Sequence, residues 1–253
     1  MNIANSRFPM TKLVLAFNWH FFLIASFACG IGVLAILFLE PTWLRALLAL
    51  GVAAGIYFML ASIIASYFIY DHSDLYRLTW WPKRVIPDGA KNAVLIHAGF
   101  DPASSILTQK HPELNLQILD FFDPDTTTET SIRTARKLFP PLENETQIQL
   151  EAWPLPDQSQ DLVFAISAAH EIRDDAQRTT FFREAKRVLR AGGKLIVIEQ
   201  LRDWRNLLVF GGAVFHFLSY ATWLRSFKAG GFTTPEEFWI SPWMKAFVLS
   251  VPE

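Results

Sequence analysis

Two long apolar runs open the chain. Val14 to Leu39 carries no Asp, Glu, Lys or Arg, and a second run from Leu44 to Ile69 contains one charge, Arg45, near its start. At about 1.5 Å of helix per residue, each run exceeds the roughly 30 Å hydrocarbon core of a bilayer. The segment Glu40-Pro41-Thr42 between them predicts a tight turn. The pattern therefore predicts a membrane anchor over residues 1–70, with transmembrane helices at about 14–39 and 44–69.

Two alternatives to a transmembrane hairpin are a secretory signal peptide and a buried hairpin of a soluble protein. A signal peptide has one shorter apolar region followed by a soluble chain, whereas here a second apolar run follows at once. A soluble hairpin needs a polar face on each helix, and neither run has one. The spacing Gly51-x-x-x-Gly55 is also typical of closely packed membrane helices.

Basic residues flank the two runs and predict their orientation. They are Arg7 and Lys12 before the hairpin, and Arg77, Lys83 and Arg84 after it. Because positive charge is enriched on the cytoplasmic side, we expect a multi-pass protein of the cell (inner) membrane. Both termini and the globular part would face the cytoplasm, and residues 71–90 would form an interfacial linker.

After the linker, short apolar runs alternate with amphipathic stretches, which is typical of βαβ units and a parallel sheet. The pattern predicts an α/β domain over residues 91–253. Predicted strands lie at 92–96, 114–119, 147–150, 162–167, 194–198, 237–240 and 245–249, and predicted helices at 176–190 and 222–229.

Composition argues against a nucleic-acid binder and against a cysteine-based site. The net charge of -1 argues against a nucleic-acid binder, which usually shows a strongly basic face. The single cysteine, Cys29, lies in the first apolar run, so neither a disulfide framework nor a thiolate metal site is available.

Two motifs carry a resemblance to a known family. Residues 153–164 read WPLPDQSQDLVF, and residues 182–199 read FREAKRVLRAGGKLIVIE. This pattern resembles the class I S-adenosylmethionine (SAM)-dependent methyltransferases, specifically the methyltransferase-11, ubiquinone/menaquinone-methylase-like group. The resemblance covers about residues 90–250. It implies a Rossmann-like, seven-stranded sheet of order 3-2-1-4-5-7-6 with the last-numbered strand antiparallel, and SAM as the cofactor.

The resemblance also implies which residues bind the cofactor. Asp120 ends the second strand, where the family's acid takes the ribose hydroxyls; a surface Asp at a turn is the alternative. The family's glycine-rich loop is reduced here to His97-Ala-Gly99-Phe-Asp101, with Asp101 as a candidate for the missing carboxylate. His97 either replaces the family's acid as a neutral group or is a structural residue. The predicted cofactor-binding residues are His97, Gly99, Asp101, Asp120, Phe121, Ala152 and Trp153.

Polar residues that follow the fourth and fifth strands are candidates for the reaction side. His170 and His216 are candidate bases, because a neutral imidazole accepts a proton near physiological pH. Glu171 and Glu199 could orient an imidazole or hold an acceptor hydroxyl. Alternatively, Glu171 belongs to a structural ion-pair network with two nearby residues, Arg173 and Arg202. We predict no metal ligand, although His97, His170, Glu171, Glu199 and His216 would form an N/O site if they converged.

The leading functional hypothesis is methyl transfer from SAM to a lipophilic or membrane-adjacent acceptor, such as a quinone, an isoprenoid or a lipid headgroup. Membrane lipids are then expected partners, nucleic acids are not, and the oligomeric state stays open. Residues 207–220 are nearly all apolar and are predicted to form a lid between membrane and site, with His216 pointing inward. The alternatives are a membrane-tethered, non-catalytic methyltransferase fold that binds a ligand, and a metal-assisted enzyme of another reaction class.

Overall fold

The structure, a computed structural model, describes residues 10–78, 85–86, 89–125 and 129–252. Three of the basic residues on which the predicted orientation depends, Arg7, Lys83 and Arg84, lie outside these ranges. The other two, Lys12 and Arg77, lie within them.

Two apolar helices form the N-terminal hairpin. Helix α1 spans Met10–Phe38 and α2 spans Thr42–Ser66, which continues as a π-helix over Tyr67–His72. Both are long and apolar enough to cross a membrane by length and composition. The predicted pair of apolar helices is therefore confirmed, and their insertion in a bilayer stays a prediction.

Small residues set the contact between the two helices. A Cβ on Gly55 would lie 2.8 Å from Cys29 Sγ, and one on Gly32 would lie 2.6 Å from Val52. Gly51, which the sequence pattern pairs with Gly55, has nothing near its Cβ position. Only one glycine of the predicted pair therefore lies in the helix contact, because the two positions are not equally turned toward α1.

Seven strands form one mixed sheet. They are β1 (Asn92–His97), β2 (Asn115–Asp120), β3 (Glu145–Gln147), β4 (Gln160–Ile166), β5 (Leu189–Gln200), β6 (Glu236–Ser241) and β7 (Met244–Ser250). Their order is β3-β2-β1-β4-β5-β7-β6, with β7 antiparallel to both of its neighbours. The predicted fold class and strand order are confirmed.

The helices of the domain connect these strands. They are α3 (Ser104–Lys110), α4 (Thr130–Leu138), α5 (Asp175–Val188), α6 (Trp204–Phe210) and α7 (Tyr220–Ala229), with short 3-10 turns at Ala169–Glu171 and Gly211–His216. Helices α3, α4 and α6 were not assigned from the sequence, because each has fewer than ten residues and too few turns to show a clear period.

Two strands, β3 and β5, differ from their predicted bounds by three residues or more at one end. The third strand ends at Gln147 instead of Leu150, because the chain turns back so that Gln149 bridges only to Ala152. The fifth strand covers Leu189–Gln200 instead of 194–198. It is longer because β4 pairs with its first residue and β7 pairs with it as far as Gln200.

The core lies on both faces of the sheet. Successive strand residues point to opposite faces, so Val94 and Ile96 pack with α5 and α7 while Leu95 packs on the other side. The predicted linker contributes to that second layer, since Leu75 and Val85 are fully buried in it. Leu75 and Val85 therefore attach the segment after α2 to the sheet.

The hairpin and the domain are also joined at the start of α1. The Asp71 carboxylate accepts hydrogen bonds from the backbone N–H groups of Met10 and Thr11, at 2.6 and 2.9 Å. These two donors have no partner within the helix, so Asp71 caps α1. Further along α1, the Phe17 ring packs edge-on against Phe100, at 5.2 Å between centroids. Phe100 belongs to the loop after β1, so the first helix contacts the loop where the cofactor is expected.

Candidate functional site

A cleft of about 930 Å³ lies beyond the carboxyl ends of β1, β2 and β4. In a doubly wound sheet, this is the edge where ligands bind, next to the point where the strand order reverses. Its volume is within the usual range for a small-molecule site. The lining residues used below are Ala98, Phe121, Glu129, Arg136, Leu150, Glu151, Glu171 and Arg173.

Asp120, the predicted ribose ligand, lies below this cleft and is fully buried. Its Oδ1 accepts hydrogen bonds from the backbone N–H groups of Gly99 and Phe122, at 2.8 and 2.9 Å, and its Oδ2 pairs with Arg136. Burial raises the pKa of Asp120 above its usual value, against the opposing effect of His97 and Arg136. The carboxylate is thus at the predicted strand end, and Arg136 holds the oxygen that a ribose would need.

Arg136 also pairs with Glu145, so a compact group of charges lies under the loop after β1. Arg136 Nη1 is 3.0 Å from Glu145 Oε1. His97 lies between the two carboxylates, with its ring nitrogens 3.5 Å from Asp120 and 3.5 Å from Glu145. Burial alone would raise the pKa of Glu145, but His97, the Leu142 N–H and Arg136 lower it to about 2. We call His97, Asp120, Arg136 and Glu145 the buried charge group.

In the loop after β1, the predicted cofactor residues Gly99 and Asp101 have structural roles. Gly99 has φ of +87°, and a Cβ there would lie 2.8 Å from the Phe122 side chain, so glycine is required. Asp101 Oδ1 accepts hydrogen bonds from the N–H groups of Ala103 and Ser104, which start α3. Its second oxygen is buried and has no hydrogen-bond partner among the described residues. Asp101 therefore fixes the loop geometry and does not line the cleft described above.

The remaining predicted cofactor residues divide between cleft and core. Phe121 lines the cleft and packs against Phe181 at 6.1 Å between ring centroids. Trp153 is buried against the same ring at 5.4 Å and lies in the core instead of over the cofactor. Ala152 is exposed in the turn that follows β3. Leu150 and Glu151 line the cleft in their place, because β3 ends earlier than predicted.

The four predicted reaction-side residues meet at one end of the cleft. His170 and Glu171 lie in the 3-10 turn after β4, and Asp174 caps the following helix by accepting from two backbone N–H groups. Glu199 near the end of β5 lies behind His170, with its Oε2 2.7 Å from His170 Nδ1. His216 comes from the turn after α6, and its ring lies 5.0 Å from that of His170. We call His170, Glu171 and His216 the acceptor cluster.

Charges determine the protonation of this cluster. Burial alone would lower the pKa of His170, but Glu199 and Glu171 outweigh it and raise that pKa to about 10. Burial would raise the pKa of Glu171, but hydrogen bonds with His170 and His216 hold it far below its usual value. In the structure as it stands, His170 is therefore an imidazolium and Glu171 a carboxylate. Of the two predicted bases, His170 therefore cannot accept a proton in this state.

Several residues of the site were not predicted. Arg136 and Glu145 complete the buried charge group, and Glu129 lies 3.1 Å from His216 Nδ1. Each is a single charged residue in or beside a short helix or strand, where surface charges are equally common. No sequence signal separates them from solvated residues, since their partners are far apart along the chain.

Comparisons with known proteins agree with this geometry. Residues 124–197 match the family model described as a methyltransferase domain. No match was found among curated proteins. Human N-acetylserotonin methyltransferase in complex with SAM is 15% identical, with a TM-score of 0.52 over 79% of this chain and 56% of that one.

Two further solved structures are similar to parts of this chain. The pyocyanin biosynthetic protein PhzM is 13% identical, with a TM-score of 0.51 over 75% of this chain and 57% of that one. A SAM-dependent methyltransferase from Aquifex aeolicus is 17% identical, with a TM-score of 0.45 over 64% of this chain and 85% of that one. This chain spans a little over half the length of PhzM and of the human enzyme. Residues 124–197 thus match a methyltransferase domain, and the whole sheet has the strand order of the class I methyltransferase fold.

Proposed function

We propose that this protein transfers a methyl group from SAM to a polar group of a lipophilic acceptor at a membrane surface. The single observation that carries the proposal is the acceptor cluster at one end of the cleft in a class I methyltransferase domain. Methyl transfer needs alignment of donor and acceptor and removal of a proton. A cleft with charged and titratable groups at one end supports both.

The cleft fits a nucleoside-type cofactor in size and lining. Phe121 and Leu150 supply apolar surface for an adenine ring, and Glu151 supplies a carboxylate beside it. Asp120 serves the ribose only if Arg136 leaves its Oδ2, because both oxygens are otherwise occupied. Arg136 lines the cleft, so such a movement has room. When bound, the cofactor supplies an electrophilic methyl group.

The acceptor cluster handles the acceptor's hydroxyl or similar group. Glu171 lines the cleft and accepts hydrogen bonds, while His170 is held in place through its Nδ1 by Glu199. His216 is the proposed proton acceptor. Arg173 donates a hydrogen bond to the backbone oxygen of His216, which fixes the turn that carries its ring.

The surface beside this cluster supports a lipophilic acceptor. The predicted lid over residues 207–220 consists of the end of α6, the turn Gly211–His216 and the start of α7. Gly211 lies against α2, since a Cβ there would be 3.2 Å from the Phe58 ring. Leu207, Leu208 and Phe215 are exposed on this segment, Phe215 by 72%. The segment thus runs from the hairpin to the acceptor cluster with an apolar outer face.

Helix length places this segment near the inner edge of the proposed bilayer. Measured from Thr42, a hydrocarbon core of about 30 Å takes about 20 residues of helix and ends near Ser62. Phe58 is one helical turn short of that boundary, so Gly211 packs at the level where lipid tails meet headgroups. We infer that the hairpin spans a cell membrane with the domain on the cytoplasmic side, and that the acceptor enters from the lipid.

The test is transfer of labelled methyl from SAM by the full-length protein into organic-extractable material from a lipid extract. We expect His216→Ala to lose nearly all transfer while its affinity for S-adenosylhomocysteine and its Tm stay close to those of the parent. His111→Ala is the matched control, because His111 precedes β2 at the opposite edge of the sheet. A His216→Ala protein that keeps its transfer rate would remove His216 from the reaction.

A second candidate function is binding without catalysis. The observation that favours it is the occupied state of Asp120, together with a loop that retains one glycine of the family pattern. Calorimetric titration of the parent with S-adenosylhomocysteine separates the two candidates. Absence of binding would leave the fold as a scaffold and exclude SAM-dependent transfer.

A further inference from the structure

Three side chains of the acceptor cluster point nitrogen and oxygen atoms at a common point. His170 Nε2 lies 3.2 Å from Glu171 Oε1, and His216 Nε2 lies 3.4 Å from the same oxygen. The three donor atoms all lie within 4.8 Å of one another. Two ligands bound to a tetrahedral cation at about 2.0–2.1 Å lie roughly 3.3–3.4 Å apart. Two of the three separations already match that geometry.

Each histidine has a carboxylate near its Nδ1. Glu199 is hydrogen-bonded to His170 Nδ1 at 2.7 Å, and Glu129 lies 3.1 Å from His216 Nδ1, which the Arg173 guanidinium also contacts. Glu199 is buried, and its Oε1 also accepts from the N–H groups of Ala168 and His170, each at 3.2 Å. A carboxylate on the far nitrogen of a histidine is the usual arrangement around metal-bound imidazole, because it orients the ring and makes Nε2 a better donor.

We propose that His170, Glu171 and His216 bind one divalent transition-metal cation, with Glu129 and Glu199 supporting the two imidazoles. A ligand set of two imidazoles and one carboxylate suits zinc, iron or manganese better than calcium or magnesium. Glu171 lines the cleft, so a fourth coordination position faces the space where the acceptor would bind. Three protein ligands and one open position are typical of catalytic rather than structural metal sites.

Two positive charges must leave for the cation to bind: the proton on His170 Nε2, which the cation displaces, and the guanidinium of Arg173. An Arg173 nitrogen lies 3.2 Å from His216 Nε2 and 3.6 Å from Glu129. The Arg173 side chain is 40% exposed, so it can turn toward solvent and leave Nε2 to the cation. The buried charge group differs in this respect. There Arg136 is bonded to both Asp120 and Glu145, so those two carboxylates share one cation that is already present.

The role of the cation in the reaction rests on the proposed function, whereas the site itself does not. The cation would bind the acceptor's oxygen at its fourth coordination position. This would make the acceptor's hydroxyl more acidic. The acceptor oxygen then forms its bond to the methyl carbon, the bond from that carbon to sulfur breaks, and sulfur keeps the electron pair. The hydroxyl proton passes to water. With a cation bound, His216 acts as a ligand and no longer as the proton acceptor.

The test uses full-length protein in detergent, stripped with a chelator and titrated with Zn²⁺ and, separately, with Co²⁺ as an absorbing probe. We expect one cation per chain and a cobalt spectrum typical of four-coordinate sites. His170→Ala and His216→Ala should each weaken binding by at least 100-fold, and Glu199→Gln by about 10–100-fold. His111→Ala is the matched control, because His111 lies between α3 and β2 and belongs to neither charged group.

Circular dichroism and S-adenosylhomocysteine binding show whether each variant is folded. A folded parent protein that binds S-adenosylhomocysteine but retains no cation, or one whose binding is unchanged in both histidine variants, would overturn the metal site and leave the proposed methyl transfer standing. A cation that binds with the expected stoichiometry in a protein that does not bind S-adenosylhomocysteine would support the metal site and overturn SAM-dependent transfer. Methyl transfer that persists after chelation would overturn the role of the cation in the reaction.

Discussion

Asp120 illustrates how much a single buried side chain does at the residue scale. Its two oxygens accept from two backbone N–H groups, of Gly99 and Phe122, and pair with Arg136. These contacts connect the end of β2, the loop after β1 and helix α4. Removing the carboxylate would leave buried donors unpaired, which is costly in itself. A conservative substitution is therefore needed to separate its part in binding from its part in folding.

We expect Asp120→Asn to weaken S-adenosylhomocysteine binding by about 1–3 kcal/mol, the range for hydrogen bonds to a charged group. Asparagine keeps an acceptor for the backbone N–H groups but loses the charge available to the ribose. Asp161→Asn is the matched control, because Asp161 is equally buried and accepts from the Lys91 and Asn92 N–H groups at the opposite sheet edge. Calorimetry on both variants is the measurement. Equal affinities for the two would argue against Asp120 as a cofactor ligand.

Glu145 gives the buried charge group a pH-dependent part in stability. Its folded pKa of about 2 is below the usual value of about 4.3, so its stabilising effect is present above pH 4.3 and is lost as the pH falls toward 2. Asp120 acts in the opposite sense, since its pKa is raised. The groups that face Glu145 are His97, Asp120 and Arg136.

The comparison that isolates Glu145 is the parent protein against Glu145→Gln. We expect the variant to have the lower Tm at pH 6, and the difference to shrink steadily between pH 5 and pH 2.5. Thermal unfolding followed by circular dichroism is the measurement. A difference in Tm that is constant over this interval would mean that Glu145 keeps its ordinary pKa in the folded protein.

At the scale of elements, the segment from α6 to His216 connects the hairpin to the reaction side. Asp203 caps α6 by accepting from the Asn206 N–H at 2.9 Å, and Gly211, at φ of +53°, turns the chain where the helix ends. The turn lies against α2 at Phe58 and delivers His216 to the acceptor cluster. A change in how deeply this segment sits in lipid would therefore reach His216 directly.

The fluorescence of Trp204 can report how deeply this segment lies in lipid, because the Trp204 side chain is 66% exposed on α6. In vesicles that contain brominated lipids, we expect part of the protein's tryptophan emission to be quenched and Trp204→Phe to lose a share of that quenched part. Phenylalanine keeps the apolar surface, so membrane attachment should not change. Trp223→Phe is the comparison, since Trp223 is fully buried behind α5. If Trp204→Phe left the quenched fraction unchanged, α6 would not contact lipid.

At the scale of the whole molecule, the hairpin and the domain form one continuous packed unit. Asp71 caps α1, Phe17 packs on the loop after β1, and Leu75 is buried beneath the sheet. A bilayer that holds the hairpin thus also sets the orientation of the cleft. The cleft and the acceptor cluster would be held at a constant height above the membrane, which suits an acceptor that is itself confined to lipid.

The proposed topology is tested by cysteine labelling in intact cells. In a Cys29→Ser background, Thr42→Cys should react with a membrane-impermeant reagent, because the turn is expected outside. Asp157→Cys should react only after the cells are opened, since Asp157 is an exposed residue of the domain. The opposite pattern would reverse the topology, and labelling of both in intact cells would exclude an intracellular domain.

Much of the architecture could be predicted because it depends on local patterns. Two uninterrupted apolar runs predict two long helices, and short apolar runs separated by amphipathic stretches predict a parallel sheet. The motifs at 153–164 and 182–199 then identified the strand order through the family resemblance. Positions at strand ends could be proposed as site residues, because the carboxyl ends of parallel strands meet at one edge. His170, Glu171 and Glu199 do meet there.

The environment of each site residue depended on contacts between distant parts of the chain. Arg136 contacts Asp120, which lies 16 residues earlier in the chain. Glu129 contacts His216, which lies much farther along the chain. Such pairs form only after the sheet brings the strand ends together, so no local pattern records them. The burial of Trp153 against Phe181 and the early end of β3 follow from packing in the same way. By itself, the sequence determined the two apolar helices, the seven strands and the residue types at the strand ends. Only the tertiary structure decided which of those residues face the cleft and which are neutralised beneath it, because burial and charge pairing are properties of the assembled fold.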